Sequence, residues 1–246
     1  MNRTPEYVMF LALIGGLLLS VEAGRWLARR AAARREVGSS ESVFVAHQGA
    51  LLGLLALLLA FSFSAASLRF IDRQEYVVRE ANAIGTADLR ADVLAEPHQG
   101  VLRNVLRRYL ELRTMLTSAD PDPAPILAEM EKLHEQMWVA ARDGTAANPT
   151  LALLVLPAIN EVIDLHGSRK ATAARHLPVA FLALLIGSAM LTMGTVGFST
   201  RRRGMAWCLG FLVGATLWMT LDLDMPLRGV IRMDPTPLTS MKIRNP

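Results

Sequence analysis

Cysteine is almost absent from this chain: Cys208 is the single one, and it sits within an apolar run. One thiol cannot build a disulfide framework within a chain, nor a CxxC metal site. Charge is scarce too, at 20% of the 246 residues, where a soluble domain of this length carries about 25%. The histidines His47, His98, His134, His166 and His176 are scattered, with no HExxH and no pair at four-residue spacing. Nucleophile elbow, Walker motif and glycine-rich phosphate loop are all missing. No recognition helix, aromatic RNA-binding motif or zinc pattern speaks for nucleic acid as a partner. These absences point away from an enzyme, a cofactor or a metal centre.

What the chain has in excess is apolar sequence, 52% of its residues, gathered into four blocks. They run from about Tyr7 to Leu27, Phe44 to Ser67, Leu177 to Phe198 and Met205 to Leu221. At about 1.5 Å per residue, each can cross or nearly cross a hydrocarbon layer of about 30 Å. The last block is the shortest and calls for local thinning or little tilt. Tyr7, Trp26, Trp207 and Trp218 lie towards span ends, where aromatic rings favour the interface. The first block can be read as a signal peptide, since Val21-Glu22-Ala23 loosely imitates a cleavage site. Against that, Arg3 is offset by Glu6 ahead of it, while Arg25, Arg29, Arg30, Arg34 and Arg35 follow it, which favours a retained span.

The arginines cluster beside apolar blocks, so a lipid bilayer is the expected partner of the +4 charge. Short arginine-rich connections stay in the cytoplasm. Five arginines run from the end of the first block, at Arg25, to Arg35 before the second, and Arg201, Arg202 and Arg203 lie between the last two. Both connections place the termini and the long central segment outside, in the periplasm of a bacterial inner membrane.

That central segment, 68–176, is polar and helical in period. The second span continues without a proline through Leu68 to Leu94, with Glu75 and Arg79 as an (i, i+4) pair, and Glu96-Pro97 ends it. A second helix carries Val101, Val105, Leu106, Tyr109, Leu110 and Leu116 on one face. Asp122 is placed to cap a third, with Pro123 at its first position, ending at Asp143-Gly144. Asn148-Pro149 opens a fourth, which should run on towards the third span with kinks near Pro157 and Pro178. The expected fold is an all-α membrane protein: four transmembrane helices, with a helical-bundle polar domain inserted between spans two and three. Its segments are 1–67 (two spans), 68–176 (extramembrane bundle), 177–222 (two spans) and 223–246 (tail).

Small residues recur along the spans. Gly49, Gly53, Ala56 and Ala60 do so in the second, with Ser64 and Ser67 beyond. Ala180, Ala183, Gly187, Met190, Gly194 and Gly197 follow suit in the third, and Gly210 and Gly214 in the fourth. Such stripes let helices approach closely; alternatively, the second-span stripe faces an oligomer axis and lines a pore. Phe61 and Phe63 sit among serines in AFSFSAAS, as space fillers or as a hydrophobic constriction. Residues two apart point to different sides of a helix, so at most one can face an axis squarely. Glu22, one turn before the arginine cluster, can pair with Arg25. Asp222 and Asp224 end the fourth span, where pairing with Arg228 would lock the membrane exit. Glu80, Asn82, Gly85 and Thr86 on one stalk, and Asn160, Glu161 and Asp164 on the returning helix, can line a vestibule or bond between helices. A glycine at position 85 suggests close helix approach.

GALLGLLALLLAFSFSAAS, REANAIGTADLRADVL, LPAINEVIDLHGSR and LDLDMPLRG, in that order, resemble a bacterial membrane family described as bestrophin-like. The resemblance spans about His47 to Leu238. True bestrophins are pentameric anion channels whose second span carries a hydrophobic neck and leads into a helical domain. The resemblance therefore implies a homo-oligomeric, anion-permeable channel for a small inorganic ion, with Phe61 and Phe63 as neck candidates. The aromatic-and-proline neck motif and the acidic calcium cluster of true bestrophins have no counterpart here, so no metal is carried over. Their helical domain is cytoplasmic, opposite to the arginine argument. The alternative is a non-conducting sensor or adaptor whose extramembrane bundle binds a partner.

Overall fold

The computed structural model describes residues 6–33, 41–118, 123–173, 175–225 and 230–244; Arg34, Arg35, Asp122 and Arg228 lie outside them. Among the described residues every regular element is helical: α1 (Glu6–Ala33), α2 (Glu41–Ala91), α3 (His98–Ser118), α4 (Pro123–Thr145), α5 (Pro149–Ala173), α6 (Val179–Ser199), α7 (Arg203–Asp224) and the short α8 (Thr236–Thr239). By length and composition five of them can cross a membrane: α1, α2, α6, α7 and, beyond the expected four, α5.

The chain divides into two compact units, Met1–Phe70 with His176–Arg232, and Ile71–Arg175 with Met233–Pro246. Helix α2 contributes to both. Its 51 residues contain no proline, and at 1.5 Å per residue they span roughly 75 Å.

In the first unit α1 packs on α6 and α7 around Leu17, Val21, Leu185, Met193, Val213 and Leu217, with Leu55 of α2 joining them. The approach is backbone to backbone. A Cβ on Gly24 would lie 1.9 Å from the Gly194 carbonyl oxygen, and one on Gly197 would lie 2.0 Å from that of Val21. The outer face holds Leu11, Leu19, Leu184 and Leu191, each at least 61% exposed except Leu184 at 58%. So much apolar surface on every helix matches hydrocarbon, not water.

In the second unit the apolar positions of α2 recur every three or four residues, as Val77, Ala81, Ile84, Ala87 and Ala91. They pack against Leu102, Leu106 and Tyr109 of α3, Met130 and Met137 of α4, and Val155, Ile159 and Val162 of α5. The C-terminal segment closes this core with Leu238 and Ile243. The Asn148 carboxamide oxygen accepts the Thr150 N–H at 3.1 Å, the cap expected ahead of Pro149.

Several local expectations need correction. Helix α2 stops at Ala91, and turn bonds such as Leu94 N–H to Ala91 carbonyl (3.1 Å) replace its last turn. Val101 is 48% exposed, outside the apolar face of α3. Arg79 lies over the Tyr76 ring, 5.7 Å from its centroid, and does not pair with Glu75. Gly85 meets only the Met241 methyl at an ordinary 3.5 Å, so no close helix approach demands it. The α4 helix runs past Asp143-Gly144 to Thr145. Helix α5 continues through Pro157 but ends at Ala173, and Pro178 stands as the extended residue before α6. Proline disfavours helix in the residue it follows, and the Leu177 N–H is taken instead by the Asp224 carboxylate at 3.0 Å.

Candidate functional site

On α2 the small-residue stripe lies on the face turned away from its own unit. Gly49, Gly53, Ala56, Ala60 and Ser64 are exposed and Ser67 partly so, whereas Leu55, Ser62 and Ala66 on the opposite side are buried. A Cβ on Gly49 or Gly53 would meet nothing within 4 Å. At 100° per residue, Phe63 stands about 40° from the Gly49 direction and Phe61 about 120°. Phe63 therefore shares the stripe's face, while Phe61, at 63% exposed, projects beside it. The other stripes divide. Ala180, Ala183, Gly187 and Met190 are exposed, whereas Gly197, Gly210 and Gly214 are buried against α1.

The carboxylates ending α7 are held within the same unit. Asp222 accepts the N–H groups of Val230 and Ile231, both at 2.8 Å. Asp224 accepts Arg69 Nε at 2.9 Å as well as the Leu177 N–H, with His176 Nδ1 at 3.4 Å. Glu22 takes Trp207 Nε1 at 2.8 Å and Arg203 Nε at 3.0 Å, closer than Arg25 at 3.9 Å. Neither Arg69 nor Arg203 was singled out by sequence as a partner. Sequence proximity points to Arg25, which does reach Glu22 at 3.9 Å, but gives no cue to partners on other helices.

The polar residues of the second unit sort into a buried centre and an outer face. Glu80 is fully buried on α2. It accepts the Tyr109 hydroxyl at 2.8 Å, Arg113 Nη2 at 2.9 Å and Arg169 Nη1 at 2.8 Å. Helical spacing explains the set: Tyr109 and Arg113 are one turn apart on α3, as are His166 and Arg169 on α5. The His166 ring is 4.7 Å from that of His134 on α4, and its Nδ1 is 3.4 Å from the Tyr109 oxygen. Nε2 of each histidine is buried without a hydrogen-bond partner. Asn82, Thr86, Asn160, Glu161 and Asp164 are exposed, and Asn160 Nδ2 donates to Asp164 at 2.7 Å on the same helix.

Burial opposes ionisation of Glu80, but Arg113, Arg169 and the Tyr109 hydroxyl outweigh it and hold the carboxyl below the ordinary glutamate value. Tyr109 is pushed well up by burial and then by the Glu80 charge. Burial, then His134 and Arg113, bring His166 down to about 4, and burial lowers His134 as well. At neutral pH the centre thus holds one carboxylate, two guanidiniums and two neutral imidazoles. A second network joins Asp88 to Arg103 at 3.1 Å and to Arg244 of the C-terminal segment at 3.2 Å. Among the described residues, no three His, Cys, Asp or Glu side chains are grouped to hold a metal.

A family model for the Bestrophin-like domain matches residues 15–238. The chain belongs to the Bestrophin-like family. Solved structures share its fold. A point variant of a bacterial Bestrophin homolog from Klebsiella pneumoniae aligns at TM-score 0.74 and 14% identity, covering 98% of this chain and 96% of its own. A second variant of that homolog gives 0.70 at 15% identity, covering 94% of each chain. A structure described only as a membrane protein gives 0.71 at 16% identity, again with 94% of each chain covered. No curated protein sequence matches the chain. Together with the apolar helices, membership makes this bestrophin-like chain a multi-pass membrane protein.

Proposed function

We propose that this bestrophin-like protein is a homo-oligomeric ion channel of the bacterial inner membrane whose pore is lined by the first part of α2. The observation that carries the reading is the open stripe of Gly49, Gly53, Ala56, Ala60, Ser64 and Ser67. Among the described residues nothing needs glycine at 49 or 53, and a neighbouring copy or a pore on that face would use the space they leave. Phe63, on that face, is the constriction candidate. Permeation by anions rests on the family resemblance alone.

Four spans (α1, the first part of α2, α6 and α7) suit the proposal better than five. Helix α5 exposes Asn160, Glu161 and Asp164 and directs Arg169 into a polar core, a pattern that is costly in lipid. The arginines of the two short connections support a periplasmic position for the bundle and both termini. An epitope at the C-terminus should then be accessible from outside intact spheroplasts; labelling only after lysis overturns that orientation.

Purified protein in liposomes should pass chloride or another small ion, and Phe63→Ala should change conductance or gating more than Phe61→Ala. Absence of flux for every ion and voltage, together with an assembly in lipid lacking a central water path, overturns the channel. A non-conducting adaptor is the second reading. Exposed Leu89, Val93, Leu153 and Leu154 favour it, lying where Arg90 Nη1 donates to the Leu154 carbonyl at 2.7 Å.

A further inference from the structure

The ends of three helices meet at one end of the first unit. Arg25 Nη1 of α1 donates to the Thr200 carbonyl at 3.1 Å, and Glu22 binds Arg203 and Trp207 across the same gap. The Ser199 hydroxyl donates to Gln48 Oε1 of α2 at 2.7 Å. Six arginines gather there, at positions 25, 29, 30, 201, 202 and 203. Glu22 is the one carboxylate paired with them among the described residues, and Arg203 and Trp207 already occupy it. Arg30 is stacked on Trp26 at 3.8 Å and Arg203 on Trp207 at 4.6 Å. Arg29, Arg201 and Arg202 remain exposed, with no anionic partner among the described residues.

We infer that Arg29, Arg201 and Arg202 bind the phosphate of an anionic phospholipid headgroup, with Trp26 and Trp207 flanking it. A guanidinium offers paired N–H groups that match two phosphate oxygens. The stacked indoles, 49% and 39% exposed, lie where aromatic rings mark the lipid boundary. Beyond them Leu19, Phe211 and Leu212 expose apolar surface on α1 and α7 along which acyl chains can run. A zwitterionic headgroup would bring its own ammonium against this excess of positive charge. A soluble phosphate would gain nothing from the apolar surface beside it.

The inference rests on the membrane-spanning reading and is independent of conduction. Its test is tryptophan quenching in phosphatidylcholine vesicles, using protein with Trp138→Phe and Trp218→Phe so that Trp26 and Trp207 report. A minor fraction of brominated phosphatidylglycerol should quench more strongly than the same fraction of brominated phosphatidylcholine. Each of Arg29→Gln, Arg201→Gln and Arg202→Gln should lower the relative affinity roughly fivefold, as expected from about 1 kcal/mol per arginine at an anionic surface. Arg142→Gln with Lys170→Gln, in the other unit, should leave the preference unchanged. Excess inorganic phosphate should not compete. Equal quenching by both lipids, a preference that survives all three substitutions in a protein of unchanged helicity, or displacement by inorganic phosphate would each overturn the inference.

Discussion

Acidification should loosen the second unit before Glu80 at its centre is neutralised. Burial, and then the charges of His134 and Arg113, bring His166 from the ordinary 6.5 to about 4. Between these values the unfolded chain binds a proton that the folded chain refuses, so stability is whole above about pH 6.5 and declines as the pH falls towards 4. At about 1.4 kcal/mol per pH unit, His166 alone removes up to about 3 kcal/mol across that window. His134, lowered in the same direction by burial, adds to the decline. The geometry explains why the folded state resists protonation. Arg113 and Arg169 already face the single carboxylate of Glu80, and Glu131 and Lys170 pair with each other at 3.3 Å outside the centre. Glu80 has its folded value below the ordinary 4.5, so its own contribution is lost only at lower pH.

Trp138 lies on α4 in this unit, whereas Trp26, Trp207 and Trp218 lie in the other. With those three replaced by phenylalanine, denaturant unfolding in detergent followed by Trp138 fluorescence measures the second unit at each pH. His166→Phe removes the titrating ring but keeps its volume near His134 and Tyr109. It should shift the stability at pH 7 through the lost Tyr109 contact, and it should flatten the slope between pH 6.5 and 4.5. A wild-type stability that is level over that interval, or an unchanged slope in His166→Phe, refutes the reasoning.

Glu80→Ala leaves two buried guanidiniums and a buried phenol without their acceptor, and should cost about 3–5 kcal/mol in the same assay. Gly197→Ala should lower yield and thermal stability in detergent, because its Cβ would sit 2.0 Å from the Val21 carbonyl oxygen on a helix backbone that cannot swing aside. Gly53→Ala should leave the stability of the dissociated chain within about 0.5 kcal/mol and act on assembly or conduction instead, as read by oligomer size and liposome flux. Asp224→Asn should weaken the first unit by roughly 1–3 kcal/mol, measured by thermal unfolding with Trp218 as reporter, since Arg69 is left half-buried beside a neutral amide.

The long apolar helices were legible because hydrocarbon accepts only such elements, and the Asn148-Pro149 start because a cap is chemistry between near neighbours. The continuity of α2 past the membrane block was legible from the missing proline. Partner identity was not. Glu80 stood out as a polar residue on the stalk, but its three donors lie 29, 33 and 89 residues away. Their one-turn spacings on α3 and α5 are visible in the sequence; which faces meet is decided by packing. The same limit hid Arg69 as a partner of Asp224, and Arg244, which returns from the C-terminal segment to Asp88.

Glycine spacing shows why the limit is physical. The steps Gly49–Gly53, Gly194–Gly197 and Gly210–Gly214 look alike on paper, and each marks a helix face that a neighbour can approach. The structure separates them by what a methyl group would strike: a carbonyl oxygen 2.0 Å away at Gly197, a leucine and an isoleucine at Gly214, and open space at Gly53. Glycine costs a helix up to about 1 kcal/mol relative to alanine, a loss that close packing offsets at Gly197 and that no described residue offsets at Gly49 or Gly53. The proposed pore-lining face rests on those two glycines, continued by alanines, serines and Phe63. If Gly49→Ala with Gly53→Ala assembles and conducts as the wild type does, that face lines neither an interface nor a pore, and the channel reading loses its physical basis.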